Sequence, residues 1–230
     1  MTNYLTSNPA ILNEARDYLD GLMLGDGHIP PVKKSGTSRY EQDCEHKNWL
    51  DKISEDLYEY GIECGVDNGI LRTGGFCPED GSITYNLWTR NYIEFKEMHD
   101  RWYRKDYNVD ECPTTRWHLD ENREYYIWQK IIPKDICLSP ACVANLYIGD
   151  GSIPKFKHLY KYNISLSTDG FWKKDTIFLA DLMSEVLDIK YGITDAGKIL
   201  ISNKSDIITF LNYISNYIVN CYNYKFPEIT

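Results

Sequence analysis

Two short segments, "LMLGDGHIP" from Leu22 to Pro30 and "LYIGDGSIP" from Leu146 to Pro154, each end an apolar run in Gly-Asp-Gly, one variable residue and Ile-Pro. Their aspartates, Asp26 and Asp150, stand 124 positions apart in a chain of 230 residues. A single Asp-Gly behind a helix reads as a helix cap and turn. Two copies in matching contexts read differently. Carboxylates brought to one place repel unless a divalent cation lies between them, and hard cations such as Mg²⁺ take carboxylate, carbonyl and water oxygens. A pair of acids flanked by basic strands suits phosphodiester hydrolysis, in which metal-activated water attacks phosphorus while the metal stabilises the leaving oxygen.

The elements that would position such a pair repeat as well. Asn8-Pro9 and Ser139-Pro140 each offer a capping side chain followed by a proline suited to the first helical position. Apolar residues then recur at Leu12, Ala15, Leu19, Leu22 and Met23, and at Val143, Leu146 and Tyr147, so two helices are predicted to end at the two aspartates. Glycine inside a helix costs about 1 kcal/mol relative to alanine, so Gly21 and Gly25 need a reason. Close packing of the two helices, with Ala144 and Gly149 on the other side, supplies it. Asp26 and Asp150 would then share one end of the seam.

Behind each motif the chain turns extended and basic. Lys33, Lys34 and Arg39 lie in an acid-free stretch from His28 to Tyr40, and Lys155, Lys157 and Lys161 in another from Ser152 to Thr168. The alternation of Tyr160, Tyr162, Ile164 and Leu166 with polar residues predicts hairpins with one buried face. Helices follow in "HKNWLDKISEDLYEYG", with Leu50, Ile53 and Leu57 inward and Gly61 as a stop, and in "DGFWKKDTIFLADLMSEVLD", with Phe171, Phe178, Leu182 and Val186 inward. Strands in "GSITYNLWT" and "GKILISN" then lead into helices in "YIEFKEMHDRWY" and "DIITFLNYISNYI". The order repeats, which predicts a first half over residues 1–103 and a second over 137–230. The insertion at 104–136 does not repeat and is expected to hold a small hairpin turning at Asp120-Glu121-Asn122.

Composition bounds the partners. An apolar content of 43% is ample for a core, no run of about 18 apolar residues could span a membrane, and the N-terminus lacks the pattern of a signal peptide. The expectation is a soluble protein of the cytoplasm or an organelle. Cys44, Cys64, Cys77, Cys112, Cys137, Cys142 and Cys221 are odd in number and show no C-x-x-C pair, so free thiols are expected and a structural zinc site is not. A net charge of −9 excludes nucleic-acid binding through the whole surface. Any such binding must rest on the local basic stretches, with steep salt dependence. The nineteen tyrosines are read mainly as core, and His99 and His118 are given no role.

"LDGLMLGDG" (Leu19 to Gly27) and "VANLYIGDG" (Val143 to Gly151) resemble the two signature helices of single-chain LAGLIDADG homing endonucleases. "HKNWLDKI", "FKEMHDRWY", "KIIPKDICLSPACVANLYIGDGS", "ISLSTDGF" and "NCYNYKFP" are similar to other parts of that family, so the likeness covers nearly all of the chain except about Arg104 to Trp128. The resemblance implies an α+β fold of two αββαββα halves. Their antiparallel sheets would form a saddle on the major groove of a long, asymmetric double-stranded DNA site, and the motif helices would pack at a pseudo-twofold axis. It puts the metal-binding acids at Asp26 and Asp150, with the carbonyls of Gly25 and Gly149 assisting, and Mg²⁺ as cofactor with Mn²⁺ as substitute. Lys130 and Lys225 match its charge-stabilising lysines.

DNA contacts would come from Lys33, Lys34, Arg39, Gln42, His46, Lys155, Lys157, Lys161, Ser167 and Thr168. The strand glutamine at the edge of the family's active site has Gln42, Glu45 and His46 as candidates in the first half, and Ser167 and Thr168 in the second. Asn145 stands where a glycine equivalent to Gly21 is expected. The implied activity is site-specific hydrolysis of one phosphodiester in each strand by a monomer, leaving short 3′ overhangs, in the service of intron or intein homing or free-standing. Intron-RNA maturase activity or non-cleaving DNA regulation is the alternative. Retention of both aspartates favours cleavage, and the basic hairpins argue against a plain interaction module.

Overall fold

The computed structural model describes residues 6–32, 35–72, 81–106, 118–119, 122, 125–153 and 162–227. Asn8 caps a 3₁₀ turn, Pro9–Leu12, its side chain accepting the Ala10 N–H at 3.1 Å. The helix expected to run on from there is interrupted: the Asn13 amide bonds back to the Pro9 carbonyl at 2.9 Å, a local bond that competes with the helical ladder. The motif helix α1 therefore begins later and spans Arg16–Leu24. The second motif helix, called α4 below, spans Pro140–Asp150, and Ser139 Oγ accepts the Cys142 N–H in the capping role read from the sequence.

Tyr18 to Leu24 of the first and Cys142 to Ile148 of the second are buried against each other and their surroundings. A Cβ on Gly21 would meet the Cys142 backbone, whose Cα lies 2.6 Å away, so the helices approach backbone to backbone. Asn145, where a second small residue was expected, is also buried in this seam. Its Nδ2 donates to the Tyr18 carbonyl at 3.1 Å, so the polar group is satisfied across the interface.

The chain divides into two compact units. The first comprises Met1–His99, Cys137–Asp150 and Leu211–Thr230, so both motif helices belong to it. Its sheet contains β1 (Glu41–Cys44), β2 (Cys64–Val66), β3 (Ile70–Arg72) and β4 (Ser82–Thr89), in the order β1-β4-β2 with β3 also on β4, all antiparallel. The helix α2 (Lys47–Glu59) buries Trp49, Leu50, Ile53 and Leu57, as its periodicity predicts, and stops at Gly61, where φ is +70°. The helix α3 (Glu94–Trp102) follows β4 and leads out of this unit.

The second unit comprises Asp100–Ile136 and Gly151–Phe210. The insertion contributes β5 (Tyr103–Asp106), β6 (His118–Leu119) and β7 (Tyr125–Lys130), paired in the order β5-β7-β6. The expected hairpin is thus β6 with β7, and β5 adds a third strand. A further antiparallel sheet runs β10-β11-β9-β8, from β8 (Gly151–Ser152), β9 (Ile164–Leu166), β10 (Gly192–Ile193) and β11 (Ile199–Ile201). Ile164, Leu166, Ile199 and Ile201 fill its inner face. The helix α5 (Lys173–Leu187) corrects one expectation: Asp175, Thr176, Leu179, Ala180, Met183 and Leu187 face inward, while Phe171, Phe178 and Leu182 are half-buried and Val186 is 43% exposed. Two apolar rows run side by side on this helix. The inner one is completed by Asp175, which is paired with Lys134 at 3.2 Å. The helix α6 (Lys204–Tyr213) runs from the second unit back into the first.

Among the described residues Cys44, Cys64, Cys137, Cys142 and Cys221 are free thiols, and no helix is long and apolar enough to cross a membrane. Cys77, Cys112 and the turn residues Asp120 and Glu121 lie outside the described residues.

Candidate active site

The seam between α1 and α4 closes at its C-terminal end on two glycines. A Cβ on Gly149 would stand 3.2 Å from the Gly25 Cα and 3.7 Å from Asp26 Oδ2, and one on Gly25 would stand 3.4 Å from the Gly149 Cα. A methyl at Gly149 would press on the end of α1 whereas one at Gly25 would stand at ordinary contact distance, so it is chiefly Gly149 that lets Asp26 approach the end of α4, where Asp150 is the last residue. Asp26 is exposed and Asp150 half-buried.

Lys225 reaches the same place from the C-terminal segment Asn220–Lys225, a 3₁₀ turn of the first unit. Its side chain is buried, and Nζ donates to the Ile148 carbonyl at 2.6 Å and lies 5.0 Å from the Tyr222 ring centre. A cation at the carbonyl end of a helix is favourable. The bond is returned by Tyr147, whose hydroxyl donates to the Lys225 carbonyl at 2.6 Å and whose ring stands edge-on to Phe226 at 5.4 Å. Burial lowers the Lys225 pKa below the usual lysine range, while Asp26, Asp150 and Cys44 act in the opposite direction. Burial raises the Tyr147 phenol well above its ordinary value, which keeps it a hydrogen-bond donor.

The strand behind the first motif completes this surround. His28 and Glu41 exchange both backbone hydrogen bonds at 2.9 Å, and His28 Nε2 lies 3.1 Å from Glu41 Oε2. One step further along this antiparallel pair, Gln42 falls opposite Gly27. Gln42 is buried, and the fully buried Tyr40 donates its hydroxyl to Gln42 Oε1. The Tyr40 ring occupies the space beside Gly27, where a Cβ would come within 2.5 Å of it. Of the three residues considered for the strand glutamine in this half, Gln42 alone has this inward position. Glu45 and His46 are exposed, His46 being the N-cap residue of α2 with its ring 4.9 Å from that of Tyr222.

The other expected contacts are dispersed. Arg39 pairs with Glu41, and with Asp43 next along the strand the outward face of β1 carries more acid than base. Lys130 lies in the second unit, opposite Tyr103, with Nζ 5.7 Å from the Phe171 ring centre. Ser167 is half-buried there, and Thr168 is fully buried, donating to the Gly197 carbonyl at 2.6 Å. Lys33, Lys34, Lys155, Lys157, Lys161 and Tyr160 lie outside the described residues. Two residues went unrecognised in the sequence. Tyr40 was detectable as the residue two before Gln42, on the same face of a strand, whereas nothing local marked Tyr147 as more than helix core.

The donor set fits a hard divalent cation. Asp26 and Asp150 offer carboxylate oxygens, and Gly25 and Gly149, each preceding one of them in the chain, carry further carbonyl oxygens. Among the described residues no group of three or more Asp, Glu, His or Cys could enclose a metal. Two carboxylates plus water and substrate phosphate is how Mg²⁺ is commonly held, in contrast to the all-protein cages of structural metals.

Two close-packed motif helices, each ending in a Gly-Asp-Gly turn and accompanied by antiparallel sheets, define the class. Residues 16–207 match the model of the LAGLIDADG DNA endonuclease family, and the chain belongs to that family. It is similar to the uncharacterized protein MJ1098 of Methanocaldococcus jannaschii, 26% identical over 182 residues, which are 79% of this chain. The match spans 58% of the length of that relative. Among solved structures, the homing endonuclease I-WcaI bound to its DNA recognition sequence has the same fold, with a TM-score of 0.71 at 18% identity over 96% of this chain and 88% of that one. The N-terminal LAGLIDADG domain of DUF199/WhiA aligns over 96% of this chain and 90% of its own, at 13% identity and a TM-score of 0.49.

Proposed function

We propose that this chain is a divalent-metal-dependent endonuclease that hydrolyses one phosphodiester in each strand of a long, asymmetric double-stranded DNA site, acting as a monomer. The observation that carries this reading is the convergence of Asp26, Asp150 and Lys225 at the end of one glycine-packed helix seam. A lone aspartate at a helix end is a cap. Two at the same end, with a lysine held among them, form a site whose charges suit a metal and a phosphate together.

Asp26 and Asp150, with the carbonyls of Gly25 and Gly149, would hold Mg²⁺ or Mn²⁺, which when bound supplies Lewis-acid stabilisation and an acidified water. Lys225, anchored by Ile148 and Tyr147, presents a fixed positive charge toward the phosphate. Gln42 offers its amide N–H groups from the strand side, because Tyr40 already occupies its carbonyl oxygen. Base contacts are assigned to the strands and their connecting segments. Binding to the DNA backbone must come from few cations, since the outward face of β1 is acidic and the whole chain carries −9. The apparent affinity should therefore fall with salt, with a slope set by that small number of phosphate contacts.

Incubation of a randomised plasmid library with and without Mg²⁺, followed by sequencing of the cut ends, tests the reading. Discrete Mg²⁺-dependent cuts in both strands are expected. Enrichment of one DNA or RNA sequence without cutting would replace it with a binding role in transcription or in intron splicing.

A further inference from the structure

A cleft of about 310 Å³ opens in the first unit between α1, α2, α4 and the C-terminal segment. Ligand sites run from about 300 to 1,000 Å³, so this one suits a small molecule. Its buried wall is made by Tyr18, Trp49 and Asn145, and exposed residues such as Tyr217 and Ile218 form the rim. Tyr18 and Asn145 lie more than one helical turn before Asp26 and Asp150, so the cleft is separate from the carboxylate end of the seam.

Four aromatic side chains, Tyr18, Trp49, Tyr60 and Tyr217, line the cleft, and the negative faces of such rings attract an organic cation. The charges agree. Lys52 pairs with Asp56, which also accepts the Tyr18 hydroxyl at 2.9 Å, and Glu59, exposed three residues further along α2, adds a carboxylate outside this pairing. Burial, with Asp56 beside it, raises the Tyr18 phenol well above its ordinary value, so it stays a neutral donor. Acid exceeds base here, which disfavours an anion, a DNA phosphate included. Trp49 supplies an independent observation. It is 2% exposed, and its indole N–H has no acceptor among the described residues. A buried donor without a partner is costly and uncommon in a folded protein, and an oxygen seated against the indole edge would satisfy it.

We propose that this cleft binds a small aromatic amine that also carries a hydroxyl or carbonyl oxygen, with its ring among the tyrosines, its ammonium toward Glu59 and Asp56, and its oxygen toward the Trp49 indole N–H. The site is distinct from the cleavage site and does not depend on it. Tyr18 and Asn145 are joined across the two motif helices by the 3.1 Å bond from Asn145 Nδ2 to the Tyr18 carbonyl. A ligand against both residues adds contacts to both helices and braces the seam. Binding to the folded chain alone raises the unfolding temperature as ligand concentration rises.

Tyramine is the probe, because it carries a ring, a primary ammonium and a phenolic oxygen. It is titrated into the full chain while the indole N–H resonances are followed by NMR and the unfolding temperature by circular dichroism. Tyramine is expected to bind saturably, to shift the one indole resonance that is missing in Trp49→Phe, and to raise the unfolding temperature. p-Cresol, which lacks the ammonium, should bind at least about tenfold more weakly, and para-hydroxybenzoate, an anion, should not bind. Glu59 is exposed, so Glu59→Gln keeps the fold, and it should weaken tyramine about two- to fivefold while leaving p-cresol unchanged. No saturable binding of tyramine, equal binding of p-cresol or para-hydroxybenzoate, or binding that leaves the Trp49 resonance in place would overturn the proposal. None of these outcomes bears on DNA cleavage, so the endonuclease reading stands or falls separately.

Discussion

The surroundings of the two motifs differ far more than the motifs do. Behind Asp26 the strand carries Tyr40 and Gln42 on its inner face and Glu41 against His28 on its outer one. Behind Asp150 the same register holds Ile164, Leu166 and the serines 152 and 165. The seam itself is close to symmetric at its end, where Gly25 and Gly149 touch, and asymmetric one turn earlier, where Gly21 meets the Cys142 backbone and Asn145 bonds the Tyr18 carbonyl. A duplicated chain is free to diverge wherever a function is needed once, and is held to its repeat where two elements must fit each other. The conserved geometry is the backbone approach that gathers the carboxylates, and the divergent chemistry lies in the strands beside it.

The largest expected effect concerns what the two halves share. Chelation of divalent metal should abolish cutting of both strands while DNA binding, followed by mobility shift, persists, and Mn²⁺ should restore cutting. Loss of one strand's cleavage alone on chelation would mean that the carboxylates do not serve as a pair.

Packing of the seam comes next. Gly21→Ala drives a methyl into the Cys142 backbone and should destabilise the fold by about 1–3 kcal/mol in urea denaturation. Gly25→Ala meets only ordinary contact distances and should change stability by under about 1 kcal/mol. Equal effects would show that the two helices are not closest at Gly21. Asn145→Ala removes one hydrogen bond to the Tyr18 carbonyl, which keeps its partner within α1, and should cost about 0.5–1.5 kcal/mol in the same measurement.

The smallest effect is the pH dependence of Lys225. Its pKa is lowered by burial, so the cation is lost at a lower pH than for an ordinary lysine, and the cleavage rate should fall on the alkaline side below the usual lysine range. Lys225→Arg should move that fall to higher pH. The sign for stability is opposite: between the lowered folded value and the ordinary unfolded one the unfolded chain binds more protons, so this group's contribution to stability rises with pH.

Much of this arrangement was legible in the residues. The Pro140 start, the Gly-Asp-Gly ends and the period-3.6 apolar rows located α4, the end of α1 and α2, and the otherwise unfavourable Gly21 and Gly25 pointed to a close helix pair. Three features were not legible, each for a physical reason. On α5 the rows Phe178, Leu182, Val186 and Leu179, Met183, Leu187 have the same spacing, and periodicity alone cannot say which one faces the core. The break at Asn13 depends on one side-chain bond to Pro9 that competes with a helix the pattern otherwise supports. The register that aligns Leu166 with Gln42 is set by pairing with the motif turns, which no local composition records, so Ser167 and Thr168 were read as its counterparts.

The most direct test of the central claim is double-strand cleavage, on the recovered site, by Asp26→Asn and Asp150→Asn separately. Each substitution keeps the size of the side chain and removes its charge. The paired-carboxylate site predicts that either variant loses double-strand cleavage by at least about 10²–10³-fold, the scale of removing one group that stabilises transition-state charge. Full double-strand cleavage by either variant would contradict it.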